Sequence, residues 1–119
     1  MKKALLLSSA LCLAGCQTAY APPADGRASV IDIVLFPTSY TGQTVITHGY
    51  LQWRDGQANL FFDARHMDRL NTRFVVPLRL TGEAESSAAQ CHGQEVLVKG
   101  VVEAAGAGAA LTQVEDLVC

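Results

Sequence analysis

Gly42-Gln43-Thr44-Val45-Ile46-Thr47-His48-Gly49-Tyr50-Leu51 is matched late in the chain by Gly93-Gln94-Glu95-Val96-Leu97-Val98-Lys99-Gly100-Val101-Val102. Both read Gly-Gln-x-Val-[Ile/Leu]-x-x-Gly followed by two apolar residues. In the first copy Val45, Thr47, Gly49, Leu51 and Trp53 fall on one side of an extended chain, and Ile46, His48, Tyr50 and Gln52 fall on the other. In the second, Val96, Val98, Gly100 and Val102 share a face. Each copy therefore predicts a long strand. A glycine weakens a strand interior, so Gly49 and Gly100 mark a bend or bulge of the kind a small barrel needs.

Working outward, Arg54-Asp55-Gly56-Gln57 places an Asp-Gly pair between two apolar runs, a strong hairpin signal. The returning strand is 58–63. A third strand, 74–80, aligns Phe74, Val76, Leu78 and Leu80, with Pro77 on the other register, where no ladder bond is required. Residues 64–72 are polar and read as a loop or one helical turn. Residues 81–90 are small and polar, and would hold a helix if the barrel has one. Residues 104–110 form a Gly/Ala-rich hairpin tip, and 111–118 the last strand. Before the first strand, Ser29 and Asp32 have the spacing of a helix cap with an acid in the first turn. The β-branched run behind them leaves 29–36 open between a short helix and a strand. Pro37 ends either element.

The chain has 119 residues, enough for one domain. Met1-Lys2-Lys3 and the apolar run 4–13 have signal-peptide form and are too short to span a bilayer. Leu13-Ala14-Gly15-Cys16 then resembles the lipobox of bacterial lipoproteins. That resemblance implies a signal peptide over 1–15, cleavage before Cys16, and acylation of Cys16 as the attachment to a lipid bilayer. Gln17 in place of an aspartate implies the outer membrane, facing the periplasm, if the cell has two membranes. The alternative is an ordinary secretory signal cut near Ala19-Tyr20-Ala21. Residues 16–28, with Pro22, Pro23 and Gly26, read as a tether, which leaves 29–119 as the folded domain.

Of nine basic residues two leave with the signal, so seven face eleven acidic ones. An acidic domain lacks the field that dominates binding to phosphate backbones, which argues against a nucleic-acid partner. Cys12 leaves as well, Cys16 takes lipid, and Cys91 and Cys119 remain as an even pair. They are either a disulfide or, with His92, metal ligands; the short regular spacings of zinc sites are missing, which favours the disulfide. Placing Cys91 opposite Cys119 in a hairpin puts its turn at Ala105, where the small-residue tip begins.

The strand order is that of a Greek-key barrel, and Pro37, Tyr40, Gly42, Val45, Gly49, Tyr50 and Leu51 resemble the Pro-x-x-Tyr-x-Gly-x-x-Val-x-x-x-Gly-Tyr-Leu segment of bacterial OB-fold proteins of the nucleic-acid-binding-like superfamily. The resemblance implies an all-β five-stranded OB-fold barrel with small α content, and a ligand face on the second and third strands. Tyr50, Trp53, Phe61, Asp63, Arg73 and Arg79 are its candidate residues, unless Trp53 and Phe61 fill the core or its rim. No nucleophile elbow, phosphate loop or dense metal-ligand cluster occurs in the sequence, and no cofactor or metal is implied. His48 reads as a solvated outer-face residue. His66, with Asp63 and Asp68 nearby, offers a carboxylate–imidazole pair for a small ligand or cation. The functional expectation is a non-enzymatic, membrane-anchored module that binds an envelope protein or glycan, with ligand binding on the 63–68 loop as the alternative.

Overall fold

A computed structural model describes residues 22–119. The stretch that resembles a lipobox, Cys16 included, and the start of the expected tether lie outside them. The order is α1 (Val30–Leu35), α2 (Pro37–Tyr40), β1 (Thr44–Arg54), β2 (Gln57–Phe61), α3 (Ala64–Asp68), a 3-10 turn (Thr72–Phe74), β3 (Val75–Leu78), α4 (Glu83–Gln90), β4 (Glu95–Ala105) and β5 (Gly108–Val118). The strands close into a barrel in the order β1-β2-β3-β5-β4, with β3 and β5 parallel and every other pair antiparallel. This is the all-β, OB-like barrel expected from the strand pattern, and the short N-terminal element is a helix.

Local chemistry accounts for the elements. Ser29 Oγ accepts from the Asp32 N–H at 3.0 Å, and Asp32 Oδ2 accepts from the Ser29 N–H at 3.4 Å. This reciprocal cap outweighs the β-branched composition of Val30–Leu35. Pro37 does not simply end that helix. It opens α2, where its missing N–H is not needed by the first turn. Asp55 and Gly56 take φ of 54° and 74°, the paired positive angles of a type I′ turn, and set Arg54 opposite Gln57. Residues 81–90 do keep a helix, α4, which packs against β5 and β1.

The interior is filled as the alternation requires: Val45, Leu51, Leu60, Val76, Val96, Val98, Val102 and Leu111 are all at most 1% exposed. Tyr40 and Ile33 join this core from α2 and α1. β1 pairs with β4 from Thr44 to Tyr50 and with β2 from Tyr50 to Arg54, so Tyr50 has a partner on both sides. Beyond Tyr50 the 91–94 turn continues the ladder, with Leu51 N–H donating to Gln94 O and Gly93 N–H to Leu51 O. The other edge of Ile46 is taken by the N-terminal segment: Ile46 N–H donates to Gly26 O, and Ala28 N–H to Ile46 O. Residues 26–28 of the expected tether are thus part of the barrel, and Ala28 joins its core.

Cys91 and Cys119 form a disulfide with Cα atoms 5.8 Å apart. The register drawn from it needs correction. The hairpin tip is Gly106-Ala107, because Ala105 pairs with Gly108, and Val101 faces Thr112. Farther along, Lys99 faces Asp116, so Gly100 stands alone against three residues of β5, and Gln113 there takes φ of 50°. That bulge offsets the strands before they reach the cysteines. Cys91 itself closes α4 and is not a β4 residue.

Candidate functional site

Because β1, β4 and β5 alternate inward and outward, their outer faces carry matched rungs. One rung is His48–Leu97–Val118, and the next is Ile46–Lys99–Asp116. Outward positions on a barrel are normally polar. Here Leu97 is 52% and Val118 61% exposed, side by side on paired strands. His48 is exposed beside them, and Ile46 is half-buried.

Two adjoining clefts run along this face. The first, of about 540 Å³, lies between the N-terminal segment and the sheet, with Arg27, Ala28, Ser29 and Asp32 on one side and Ile46, His48 and Leu97 on the other. The second, of about 290 Å³, shares His48 and Leu97 and continues over Glu95, Val96, Val118 and Cys119. The pairing of residues 26–28 with Ile46 raises the wall of the first cleft. The disulfide fixes the end of β5 that forms the second. Together they make an apolar floor with Arg27 and Asp32 at one end and Glu95 at the other.

A second cluster occupies the β2–β3 connection. Asp63 caps α3: its Oδ1 accepts from the His66 N–H at 2.8 Å and from His66 Nδ1 at 2.6 Å. A carboxylate only accepts, so Nδ1 carries the proton and Nε2 is the nitrogen left to act. The backbone bond from His66, then its ring bond, hold the Asp63 carboxyl below its ordinary value; burial opposes them, and the nearby His66 and Arg65 charges lower it by less. The rings of Phe62, His66 and Phe74 stand 5.9 to 6.4 Å apart at steep angles and pack edge-on. Asp68 makes no bond to His66. Among the described residues no three His, Cys, Asp or Glu side chains converge as a metal site. The pair expected from the sequence forms, and its carboxylate is used in ordering a helix.

No known family model matches the chain, and none of the curated proteins matches it either. Fold and site geometry therefore carry the reading.

Of the six residues expected to share a ligand face, Tyr50 and Phe61 face each other across β1 and β2, and the other four lie elsewhere on the barrel and its connections. Phe61 is 2% exposed: it stands in register with Tyr50 and Val75, on the phase opposite the core residue Leu60, and is covered there. Tyr50 is half-buried. Trp53 is half-buried against the core, and its backbone N–H donates to His92 Nδ1 at 2.9 Å, which fastens the 91–94 turn to β1. Asp63 and Arg73 belong to the β2–β3 connection, with the Arg73 guanidinium 5.8 Å above the Phe74 ring. Arg79 is engaged by Glu103 at 2.7 Å. The cleft residues Ile46, Leu97 and Val118 were not among the candidates. Their signal was present: each is apolar at a position where the two-residue alternation calls for a polar one.

Proposed function

We propose that this chain is a lipid-anchored, extracytoplasmic OB-fold module that binds a protein of the cell envelope and catalyses no reaction. The anchor rests on Leu13-Ala14-Gly15-Cys16 behind a basic and then apolar start, with Cys16 acylated and the domain facing the periplasm from the outer membrane. A single chain of acyl type holds only marginally, whereas several on one residue hold firmly. The Cys91–Cys119 disulfide fits an oxidising compartment.

The observation that carries the binding role is the paired exposure of Leu97 and Val118 on the floor of a continuous cleft. An apolar centre with a charged rim, here Arg27, Asp32 and Glu95, is the usual anatomy of a protein interface. A partner presenting an extended segment with apolar side chains suits a floor of this shape. A photo-crosslinking residue at position 97, compared with one at Glu103 outside the cleft, tests the reading in intact cells. A discrete protein adduct from 97 alone, abolished by Val118→Asp, is expected. Equal labelling from both positions would end it. For the anchor, labelled fatty acid is expected on the wild-type protein and not on Cys16→Ala; unchanged labelling of the variant would remove that half of the reading.

A further inference from the structure

Six large apolar side chains stand exposed among the described residues, and the cleft uses only Leu97 and Val118. The others are Leu35 and Phe36 at the end of α1, and Phe62 and Leu70 in the β2–β3 connection. α1 packs against the Thr72–Phe74 turn of that connection and against β3. The same connection carries Arg65, Arg69 and Arg73 at four-residue spacing, all exposed. Among the described residues none of the three closes an ion pair, although Asp63 and Asp68 are close in sequence. Asp63 is held by His66, and Arg65 acts on it only at longer range. Residues 62–74 thus hold three arginines against two aspartates, whereas the rest of the described chain holds four basic residues against nine acidic.

We propose that the 62–74 connection, with the exposed end of α1, is a contact surface for an anionic phospholipid bilayer. Exposed phenylalanine and leucine beside guanidinium groups that stand outside any ion pair are the two halves of an interfacial site: the apolar groups enter the acyl boundary and the charges meet phosphate. A soluble polyanion offers nothing to the apolar half, and the acidic remainder of the barrel repels it. The chain's own course agrees. Residues 26–28 bond to Ile46, and Phe61 pairs with Tyr50, four residues further along β1, or about 13 Å. The N-terminal segment and the connection therefore reach β1 on its edge away from β4. Gly26 stands ten residue steps after Cys16, a span of at most roughly 35 Å. An anchored barrel would stay within reach of the bilayer. The proposal concerns a surface distinct from the cleft and stands on the protein without its acyl group.

The test uses the chain from Gln17 onward, which keeps every core residue and both disulfide cysteines, in co-sedimentation with vesicles. Binding to phosphatidylcholine vesicles containing phosphatidylglycerol is expected, with little to phosphatidylcholine alone, and with loss at high salt. Each basic residue near such a surface contributes about a fivefold factor, so Arg65→Gln/Arg69→Gln/Arg73→Gln is expected to weaken binding roughly a hundredfold. None of the three is in an ion pair and Arg73 gives up only its contact with the Phe74 ring, so the variant should fold and melt close to the wild type. Replacing all three by lysine must retain most of the binding, and Phe62→Ser/Leu70→Ser must weaken it. Wild-type affinity in the glutamine variant would overturn the proposal, and so would loss of binding in the lysine variant. Capture by soluble polyglutamate as tight as by vesicles would overturn it too, in favour of an acidic protein partner.

Discussion

Gly49 lies against Phe61 so closely that a methyl group on its Cα would stand 2.6 Å from the Phe61 carbonyl oxygen and 2.9 Å from Leu60 Cγ. At this point β1 passes from pairing with β4 to pairing with β2. Gly100 occupies the corresponding place on β4, at its bulge with β5, where an added methyl would meet the Thr112 carbonyl oxygen at 3.0 Å. The repeated Gly-Gln-x-Val motif is therefore a repeat of barrel mechanics: in each copy the second glycine lets a neighbouring backbone approach. Neither glycine is required for a positive φ.

The two positions should differ in cost. Gly49→Ala sets a carbon against backbone where β1 runs in unbroken register with β4, and a loss of about 2–3 kcal/mol is expected in urea unfolding. Gly100→Ala meets a bulge, where the ladder is already open, and should lose no more than about 1 kcal/mol. Equal costs at the two sites would refute the close-approach account.

Thr47 is 1% exposed on the inner face of β1, and its Oγ1 has no hydrogen-bond partner. A buried hydroxyl without a partner costs about 1–3 kcal/mol in lost hydration. Thr47→Val keeps the branched shape and removes the hydroxyl, so a gain of about 1 kcal/mol in unfolding free energy is expected. Thr47→Ser, which keeps the hydroxyl and loses a methyl, should be less stable than wild type. A destabilised valine variant would mean that the hydroxyl is satisfied in solution.

Much of this barrel is legible in local sequence. Ser29 and Asp32 announce a cap, Asp55-Gly56 fixes a turn and therefore a register, and the alternation from Val45 to Leu51 separates inside from outside. What escapes is longer-ranged. The offset between β4 and β5 comes from a bulge opposite Gly100 and a positive φ at Gln113, for which glutamine carries no signal. The disulfide was readable from cysteine parity, but a disulfide joins two points and does not set the register between them. Phe61 looks outward by alternation and is nevertheless covered. For the cleft the apolar phase errors at Ile46, Leu97 and Val118 were readable singly. Their meeting depends on which strands become neighbours, and the wall at Arg27–Ala28 depends on the tether pairing with β1.

The Asp63 carboxyl is held below its ordinary value, chiefly by the His66 N–H and next by the His66 ring. A carboxyl lowered in the folded state binds protons more readily when unfolded, so its stabilising contribution is complete above the ordinary carboxylate value. It is lost as pH falls through the lowered folded value. Asp63→Asn retains a capping oxygen and removes the charge. The wild type is expected to exceed this variant in melting temperature at neutral pH, with the gap closing on acidification. A gap that persists unchanged through the acid range would exclude the charge as its cause.

The Cys91–Cys119 bridge joins the end of α4 to the residue after β5 and closes a loop of 28 residues. In the chain-entropy treatment such a closure contributes roughly 3–4 kcal/mol, a large share of what a domain of this size holds. The bridge also fixes the strand end that carries Val118 against Leu97. Cys91→Ala/Cys119→Ala should therefore do two separable things. Global stability should fall by about 3 kcal/mol in denaturant. In addition, amides near 116–118 should exchange faster than the rest of β5 under native conditions, because a strand end without its tie frays first. The local effect should reach function: crosslinking from position 97 should weaken in the variant even where the barrel remains folded. If exchange at 116–118 is unchanged while stability falls, the bridge acts only on the unfolded chain, and the second cleft does not depend on it.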